Sequence, residues 1–284
     1  MREFTARVLA RAVHLTHLID HGYRRFDRLR SAAVVAFGSD RFFDHYNAIA
    51  YAHEKTYRPD STLFRSRLFD WETAAIDEFF PSLPARVLIG GAGGGREALA
   101  LAEKGYSVVA FDPAEGLVNA LREQVGGGGQ VRAYYGSYAT LPSLVDPAGR
   151  APVDLAGQAP FDASILGWAS FSHLRNDAER VETLHRFSQL TKGPILVSYY
   201  PPLPPGERRQ PRSALERWIR GRMARRGHSV FSIDIGYYRL LAHDEMAALV
   251  ATTGLRVLQS NRTGVWPYFV VEGIGARGKV AAAG

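Results

Sequence analysis

The sequence predicts an α/β protein whose largely parallel sheet is preceded by a helical N-terminal cap. Three observations lead to this fold class. From residue 86 onward, short β-branched runs alternate with segments of helical periodicity, as they do where helices cover both faces of a parallel sheet. The predicted strands are almost continuously apolar, which is expected of strands buried on both faces. The segments before residue 81 instead carry apolar residues at helical spacing.

Composition limits the classes of protein that the chain can form. Its 284 residues suffice for one large or two small domains, and 46% hydrophobic with 22% charged residues is typical of a folded soluble chain. The lack of cysteine excludes disulfides, thiolate metal sites, iron–sulfur clusters and a cysteine nucleophile. The apolar runs stop well short of the ~20 residues that cross a bilayer, and the N-terminal segment lacks the apolar core of a signal peptide. We therefore expect a soluble, cytoplasmic protein with no transmembrane segment.

The formal net charge of +7 is concentrated in two segments. Residues 1–41 carry eight arginines against four acidic residues, and residues 207–226 carry eight arginines against two. A basic stripe attracts nucleic acid, anionic lipid or an acidic substrate, but a solvated helix face has the same composition. Since neither segment shows a recognition motif with interleaved aromatic residues, binding of RNA or DNA through them is an alternative rather than the expectation.

Residues 1–70 are predicted to form a helical extension or lid. Apolar positions at helical spacing over residues 2–35 indicate one or two amphipathic helices, with Gly22 and Gly38 as natural interruptions. Further helices are predicted over residues 40–57 and 63–80.

Three histidines, His14, His17 and His21, fall on one face of the first predicted helix. Such spacing is compatible with metal ligation. However, the sequence offers no carboxylate close to them beyond Asp20, and we therefore predict no metal site.

Residues 71–276 are predicted to form the α/β domain, with a flexible tail over 277–284. A proline- and arginine-rich insertion over 201–228 interrupts this domain and contains a predicted helix at 212–226. The predicted strands are 86–90, 106–112, 130–135, 161–167, 193–200, 255–260 and 268–274, and the helices between them begin near Arg96 and Ala114 or span 177–190 and 243–253.

A glycine loop and the acid that follows it carry the functional information. The first predicted strand ends at Gly90, a run of glycines follows, and a helix begins near Arg96. The second strand ends in Asp112, 21 residues after Gly91. Glycines allow the backbone to approach a ligand, a helix N-terminus favours an anion, and an acid at the tip of the second strand accepts ribose hydroxyls. This order of strand, glycine loop, helix and acid predicts a site for a nucleoside cofactor. The alternative is a tight turn without a ligand.

The glycine spacing discriminates between cofactors. A dinucleotide frame starting at Gly91 fails at Arg96, whereas a frame starting at Gly93 ends in Ala98 and is a weak match. The weak match leaves an NAD(P)-dependent oxidoreductase as an alternative. The frame Gly91-x-Gly93-x-Gly95 instead resembles the first motif of class I S-adenosylmethionine-dependent methyltransferases.

The resemblance extends over roughly residues 85–275. It includes the segments AFDPAEGLV and FDASILGW and the ending GLRV…WPYFVVEGI. It implies S-adenosyl-L-methionine as cofactor and a Rossmann-like sheet of seven strands, mostly parallel, with an antiparallel last strand. LFDWE at 68–72 and the GGGRE run resemble one bacterial subgroup of that family.

Carried over by position, the resemblance assigns roles to individual residues. The glycine loop holds the methionine end of the cofactor and Asp112 holds the ribose. The sequence departs from the family at Ile89 and Ser137, where an acid is often found, so Ser137 and Tyr138 are the candidates for contacting adenine. The full set of expected cofactor-binding residues is Gly91, Gly93, Gly95, Asp112, Pro113, Ser137, Tyr138 and Trp168.

Methyl transfer from a sulfonium requires an aligned nucleophile, and a general base where that nucleophile arrives protonated. His173, after the fourth predicted strand, is the candidate base; a capping or surface histidine is the alternative. The sequence lacks both cysteine and the Asn/Asp-Pro-Pro-Tyr/Phe motif of nucleic-acid amino methyltransferases at residues 166–169. These features favour a small-molecule acceptor with an O or N nucleophile, the alternative being an RNA-associated or non-catalytic protein of the same fold.

Aromatic residues outside the α/β core are candidates for a lid and an acceptor pocket. Tyr46, His53 and Tyr57 of the cap are placed to close over the cofactor, since aromatic faces stabilise cations such as a sulfonium. Tyr237 and Tyr238, after the insertion, are candidates for lining the acceptor pocket. Ordinary helix packing and a strand core are the respective alternatives.

Overall fold

The computed structural model describes residues 2–53, 55–58, 61–65, 67–126, 129–147, 151–158, 160–202, 213–262 and 266–273, with the backbone alone for residues 2–12, 52, 53, 56, 64 and 65. The predicted tail over 277–284 and the middle of the insertion, 203–212, lie outside these ranges.

The strands of the described chain form one large sheet and one small one. The large sheet has nine strands in the order β10–β11–β7–β6–β1–β2–β3–β4–β5, and β8 pairs with β9 in a separate ribbon. The strands are β1 (Arg86–Gly90), β2 (Ser107–Asp112), β3 (Val131–Tyr135), β4 (Ser143–Val145), β5 (Pro152–Asp154), β6 (Ala163–Leu166), β7 (Pro194–Ser198), β8 (Ser229–Ser232), β9 (Gly236–Arg239), β10 (Arg256–Asn261) and β11 (Tyr268–Glu272).

The predicted α/β class and mostly parallel sheet are confirmed, and the predicted strand number is wrong. β1, β2, β3, β6 and β7 pair in parallel, and β11 is antiparallel to β7, as predicted for the last strand. The seven predicted strands are all present. A hairpin of β4 and β5 adds two strands beside β3. Each of these strands is three residues long, too short for a periodic pattern in the sequence.

Helices cover both faces of the large sheet and precede it. They are α1 (Arg2–Phe37), α2 (Asp40–His53), α3 (Thr62–Arg65), α4 (Asp70–Phe79), α5 (Arg96–Glu103), α6 (Glu115–Val125), α7 (Asp177–Leu190), α8 (Ala214–Met223) and α9 (His243–Thr253). None of the described helices is both long enough and apolar enough to span a bilayer.

Two expectations for the N-terminal helices are wrong. Gly22 does not interrupt α1, since one glycine costs a helix only about 1 kcal/mol. The helix predicted over 63–80 is divided into α3 and α4, because Arg67 has the left-handed φ of 60° between them. This break turns the carbonyl oxygen of Arg67 towards the guanidinium of Arg96, which donates to it at 2.6 Å.

The core consists of two layers, one on each face of the large sheet. Successive residues of β1 alternate between them: Leu88 belongs to one cluster, and Val87 and Ile89 belong to the other. All three are fully buried. The carboxyl ends of these strands are therefore held rigidly at one edge of the sheet.

A third, smaller core joins the N-terminal cap to the region after the insertion. Val35 of α1 and Phe43 of α2 pack with Phe231 of β8 and Tyr237 of β9. The rings of Phe43 and Tyr237 lie 4.5 Å apart. The cap and the β8–β9 ribbon thus form a single packed unit over the sheet.

This third core predicts a stability difference between two adjacent phenylalanines. Phe43 is 1% exposed and Phe42 is 41% exposed. We expect Phe43→Ala to lower the free energy of unfolding by about 3–5 kcal/mol, because it removes buried apolar contacts and leaves a cavity. The matched variant Phe42→Ala should cost much less. Urea denaturation followed by circular dichroism measures both, and equal losses would show that this core contributes little.

Candidate functional site

A cavity of about 560 Å³ opens at the carboxyl ends of β1, β2, β3 and β6. The loops after these four strands form its floor, and α2 with the segment around Tyr57 covers it. In open α/β sheets, ligands bind outside the carboxyl ends of the strands. The cavity volume is within the range of about 300–1,000 Å³ that is usual for small-molecule sites.

The glycine loop after β1 follows a path that requires glycine. Gly91 has φ +67°, and a Cβ on it would lie 2.5 Å from Cβ of Ser170. Gly93 has φ +54°, and a Cβ there would meet no atom closer than 4.0 Å. Gly93 is therefore open to the cavity, which it lines together with Gly91. Gly95 caps α5 and packs instead towards Leu121, outside the cavity lining.

The carboxylate of Asp112 fixes this loop. Its Oδ2 accepts the N–H of Gly93 at 2.8 Å, and its Oδ1 accepts the N–H of Ala114 at 2.8 Å. Burial raises the pKa of Asp112 to about 6, although both backbone hydrogen bonds act to lower it. Since a carboxylate has about four acceptor positions, each oxygen retains capacity for a ligand hydroxyl.

Tyr138 and Ser137 lie after β3, on the wall next to Asp112. Both line the cavity, as does Pro113. The hydroxyl of Tyr138 donates to the carbonyl oxygen of Gly90 at 3.0 Å and lies 2.5 Å from the hydroxyl of Ser170. The phenol is thus engaged within the protein, which leaves the ring rather than the hydroxyl for contact with a ligand.

A buried ion cluster supports the loop from below. Arg96 makes two hydrogen bonds to the carboxylate of Glu72, at 2.7 and 2.6 Å, and one to Glu97 at 2.9 Å. The guanidinium also lies 4.2 Å from the ring centroid of Phe69. Glu97 accepts the N–H of Trp168 at 3.2 Å. The cluster therefore joins the first turn of α4 and the segment before it to the start of α5 and the loop after β6.

Both segments of this cluster are visible in the sequence only as motifs, LFDWE and GGGRE. Neither their contact nor its charge balance was predicted. Burial raises the pKa of Glu72 to about 7, against the opposing effect of Arg96. A signal was present: an arginine directly after a glycine loop needs an acidic partner if it is buried.

The tautomer of His173 follows from its partners. Its Nδ1 lies 2.7 Å from the carbonyl oxygen of Tyr237, which can only accept, so Nδ1 carries the proton. Nε2 is then an acceptor, and the hydroxyl of Tyr51 donates to it at 2.6 Å. Burial lowers the pKa of His173 to about 4, which keeps the imidazole neutral. His173 lines the cavity in the form that can accept a proton.

Asn47 of α2 holds the carbonyl partner of His173 in place. Its Oδ1 accepts the N–H of Tyr237 at 2.7 Å, and its Nδ2 donates to the carbonyl oxygen of Tyr237 at 2.9 Å. This approach requires Gly236, where a Cβ would lie 2.0 Å from Oδ1 of Asn47. The cap thus positions the imidazole through β9.

Sequence reasoning missed Tyr51 and Tyr200, which lie beside His173. The hydroxyls of Tyr51, Tyr57 and Tyr200 interact by hydrogen bonding, and burial raises the pKa of both Tyr51 and Tyr200. Tyr200 directly follows β7, so its place at the carboxyl end of a predicted strand was a usable signal. Tyr51 offered none beyond helical spacing.

The remaining predicted residues lie in different places. Tyr57 and Trp168 line the cavity, with ring centroids 6.0 Å apart. Tyr238 is not among the residues that line the cavity, and its ring packs 5.0 Å from that of Tyr200. The hydroxyl of Tyr46 instead donates to the carbonyl oxygen of Ile233, and Tyr237 is buried in the third core, so neither lines the cavity. The side chain of His53 is outside the described residues.

Among the residues that the structure describes, no group of three or more histidines, aspartates or glutamates is arranged to hold a metal ion. His14, His17 and His21 lie on the exposed part of α1 and are not among the residues that line the cavity.

The buried ion cluster predicts a large cost for removing one carboxylate. In Glu72→Ala, Arg96 keeps only part of its compensation, and we expect the free energy of unfolding to fall by about 3–5 kcal/mol. Glu78→Ala, at an exposed position of the same helix, is the matched control and should stay within about 0.5 kcal/mol of the parent. Urea denaturation at pH 8 measures both; a Glu72→Ala variant as stable as Glu78→Ala contradicts the role of the cluster.

Comparison with known proteins identifies the fold. No protein-family model matches the sequence, and no curated protein matches it. A protein from Pyrococcus horikoshii OT3 is similar with a TM-score of 0.55 at 17% identity, covering 78% of this chain and 97% of that chain. The CcbJ methyltransferase from Streptomyces caelestis has a TM-score of 0.54 at 16% identity, with 78% and 97% covered.

A SAM-dependent methyltransferase from Methanosarcina mazei has a TM-score of 0.52 at 12% identity, covering 72% of this chain and 97% of that chain. At these identities the likeness concerns the fold. The chain therefore has the α/β, Rossmann-like fold of class I S-adenosylmethionine-dependent methyltransferases.

Proposed function

We propose that the protein is an S-adenosylmethionine-dependent methyltransferase acting on an O or N nucleophile of a small molecule. The observation that carries this proposal is the pairing of Asp112 with the N–H of Gly93 at the edge of the cavity. It places an acid with spare acceptor capacity beside a glycine that is open to a ligand. The fold shared with two methyltransferases supports it.

The residues present fit this cofactor. The remaining acceptor positions of Asp112 suit the two ribose hydroxyls, and the glycine loop with the N-terminus of α5 suits the carboxylate of the methionine end. Pro113, Ser137 and the ring of Tyr138 form the wall for adenine. When bound, the cofactor supplies a methyl group activated by a sulfonium. The aromatic faces of Tyr57 and Trp168 suit that cation.

The acceptor end consists of phenols and one neutral imidazole. We infer that a proton leaving the acceptor passes to the oxygen of Tyr51 while the proton of Tyr51 moves to Nε2 of His173. The 2.6 Å hydrogen bond between them supports this order. The low pKa of His173 means that the imidazolium readily releases the proton afterwards.

The oxidoreductase alternative has one feature in its favour, because Tyr51 and Lys55 have the Tyr-x-x-x-Lys spacing of hydride-transferring dehydrogenases. The surroundings do not support that chemistry. Tyr51 donates to His173, Lys55 is exposed, and burial raises the pKa of the phenol where hydride chemistry needs it lowered. The geometry therefore favours methyl transfer.

Cofactor binding is the first test of the proposal. S-adenosylhomocysteine at 100 times its dissociation constant should stabilise the protein by roughly 2.7 kcal/mol, and NAD or NADP should not. We expect Asp112→Asn to weaken S-adenosylhomocysteine binding at least about tenfold, because an amide nitrogen cannot accept a ribose hydroxyl. Asp77→Asn, an exposed aspartate, is the control. Calorimetry that shows equal affinities for the two variants would remove Asp112 from the ribose site.

The pH dependence of binding follows from the raised pKa of Asp112. Only the carboxylate accepts from both hydroxyls, so affinity should be constant above about pH 7 and fall about tenfold by pH 5. In the free protein, the stability of the fold depends on pH with the opposite sign. The folded state holds this proton more tightly than the unfolded state, so the free energy of unfolding falls as the pH rises from about 4 to 6. Calorimetry over this pH range measures the affinity of the parent and of Asp112→Asn for S-adenosylhomocysteine. The affinity of the variant should not change with pH.

The acceptor end is tested by separating binding from turnover. We expect His173→Ala and Tyr51→Phe to bind S-adenosylhomocysteine as the parent does, and to slow methyl transfer by about 10²–10⁴. Tyr46→Phe, on the same helix but outside the cavity lining, should be fully active. Release of S-adenosylhomocysteine is measured with a panel of phenols, amines and carboxylic acids. Full activity of Tyr51→Phe would exclude the proton path.

A further inference from the structure

The long helix α1 presents an apolar stripe that the rest of the described chain does not cover. Every residue from 13 to 26 is exposed. At 1.5 Å per residue, this is about 21 Å of helix in solvent. Leu15, Leu18, Ile19, Tyr23 and Phe26 are each more than half exposed within it. Monomeric soluble proteins rarely expose a contiguous apolar surface of this kind without a partner.

The stripe faces away from the body of the protein. At about 100° per residue, these five side chains occupy an arc of about 140°. Ser31 and Val35, through which α1 contacts β8 and the third core, lie on the opposite side of the helix. The stripe is therefore distinct from the face through which α1 packs on the rest of the protein. A movement of the cap towards the sheet would not bury it.

Further apolar side chains are exposed where α8 meets the end of α1. Phe37, at the end of α1 and 52% exposed, packs its ring 5.5 Å from that of Trp218. Trp218 and Leu215 are also more than half exposed. Two helices from distant parts of the sequence thus expose apolar side chains, and we call the stripe together with Phe37, Leu215 and Trp218 the α1–α8 surface.

The charge around the α1–α8 surface is positive. Residues 13–30 contain four arginines and two aspartates, and residues 213–226 contain five arginines and one glutamate. Arg24 is paired with Asp20 at 3.8 Å, whereas Arg25, at the edge of the stripe, is exposed. An amphipathic helix with leucine and aromatic residues on one face and arginines on the other is suited to the interface of an anionic membrane. Each basic side chain near such a surface adds to binding.

Charge also argues against a second copy of the chain as the occupant. If two α1 helices paired along the stripe, positions 25 and 30 would flank the seam. Both are arginines, and the other positions along the two edges of the stripe, Thr16, Leu18 and Tyr23, carry no acid. Parallel pairing would place Arg25 beside Arg30 of the other helix, and antiparallel pairing would also bring no opposite charges together.

We propose that the α1–α8 surface docks the protein on the surface of an anionic lipid bilayer, with the apolar stripe of α1 in the interface and the arginines near the headgroups. This role is separate from the chemistry of the cavity. It does not require α1 to span the bilayer.

Sedimentation of the full-length protein with vesicles tests the proposal. We expect binding to vesicles of phosphatidylcholine mixed with phosphatidylglycerol, weaker binding at high salt, and little binding to phosphatidylcholine alone. The double variant Leu18→Glu/Ile19→Glu should bind at least about tenfold more weakly, since it removes two apolar side chains from the interface and adds negative charge.

The controls separate this proposal from loss of folding and from dimerisation. Leu18 and Ile19 are exposed, so the variant should keep the melting temperature of the parent. Val257→Glu, at a half-exposed position in β10, should bind vesicles like the parent. Absence of binding to the anionic vesicles, or equal binding by the double variant, would overturn the proposal. So would light scattering that shows a dimer in the parent and a monomer in the double variant, because a second copy would then cover the stripe.

Discussion

The placement of Arg96 is the constraint on which the site depends. Its guanidinium is 3% exposed and would be strongly unfavourable there without partners. Glu72 and Glu97 provide two carboxylates, and the backbone of Arg67 provides a carbonyl oxygen. Meeting this requirement fixes three segments at once. The start of α5 cannot shift without breaking the cluster, and the glycine loop is attached to that start.

The glycine loop is held from the other side by Asp112. One carboxylate links the loop after β1, through Gly93, to the turn after β2, through Ala114. Both hydrogen bonds are made within the protein, so they fix the path of the loop relative to the two strands. The cost is the removal of a carboxylate from water, which its raised pKa reflects. The residue that gives the site its shape is therefore also one whose pKa burial raises towards neutrality.

How far the sequence predicts this structure depends on the range of the interactions. The strands around the glycine loop are predictable because burial on both faces makes them continuously apolar. Asp112 is predictable as a candidate ligand of the ribose because it ends such a strand. The hairpin of β4 and β5 has no comparable local signal. The predicted interruption at Gly22 is wrong because one glycine costs less free energy than breaking a helix of 36 residues.

The acceptor end was predicted less well for a physical reason. His173 was found from its position after a strand, but its properties come from partners more than 60 residues away in sequence, Tyr51 and Tyr237. Tyr46 and Tyr51 are both aromatic residues of α2, and periodicity does not tell them apart. Their environments do, since Tyr46 faces the β8–β9 ribbon and Tyr51 faces the cavity.

The site consists of two parts that differ in their tolerance to substitution. The cofactor end is built from consecutive strand–loop–helix units whose geometry follows from the sheet. The acceptor end is assembled from α2, the loop after β6 and β9, joined by Asn47 and the close approach that Gly236 permits. Because the imidazole is positioned through the cap, substitutions in α2 can change the acceptor end without disturbing Asp112. For the proposed methyl transfer, we therefore expect specificity for the acceptor to depend on the cap and the ribbon rather than on the sheet.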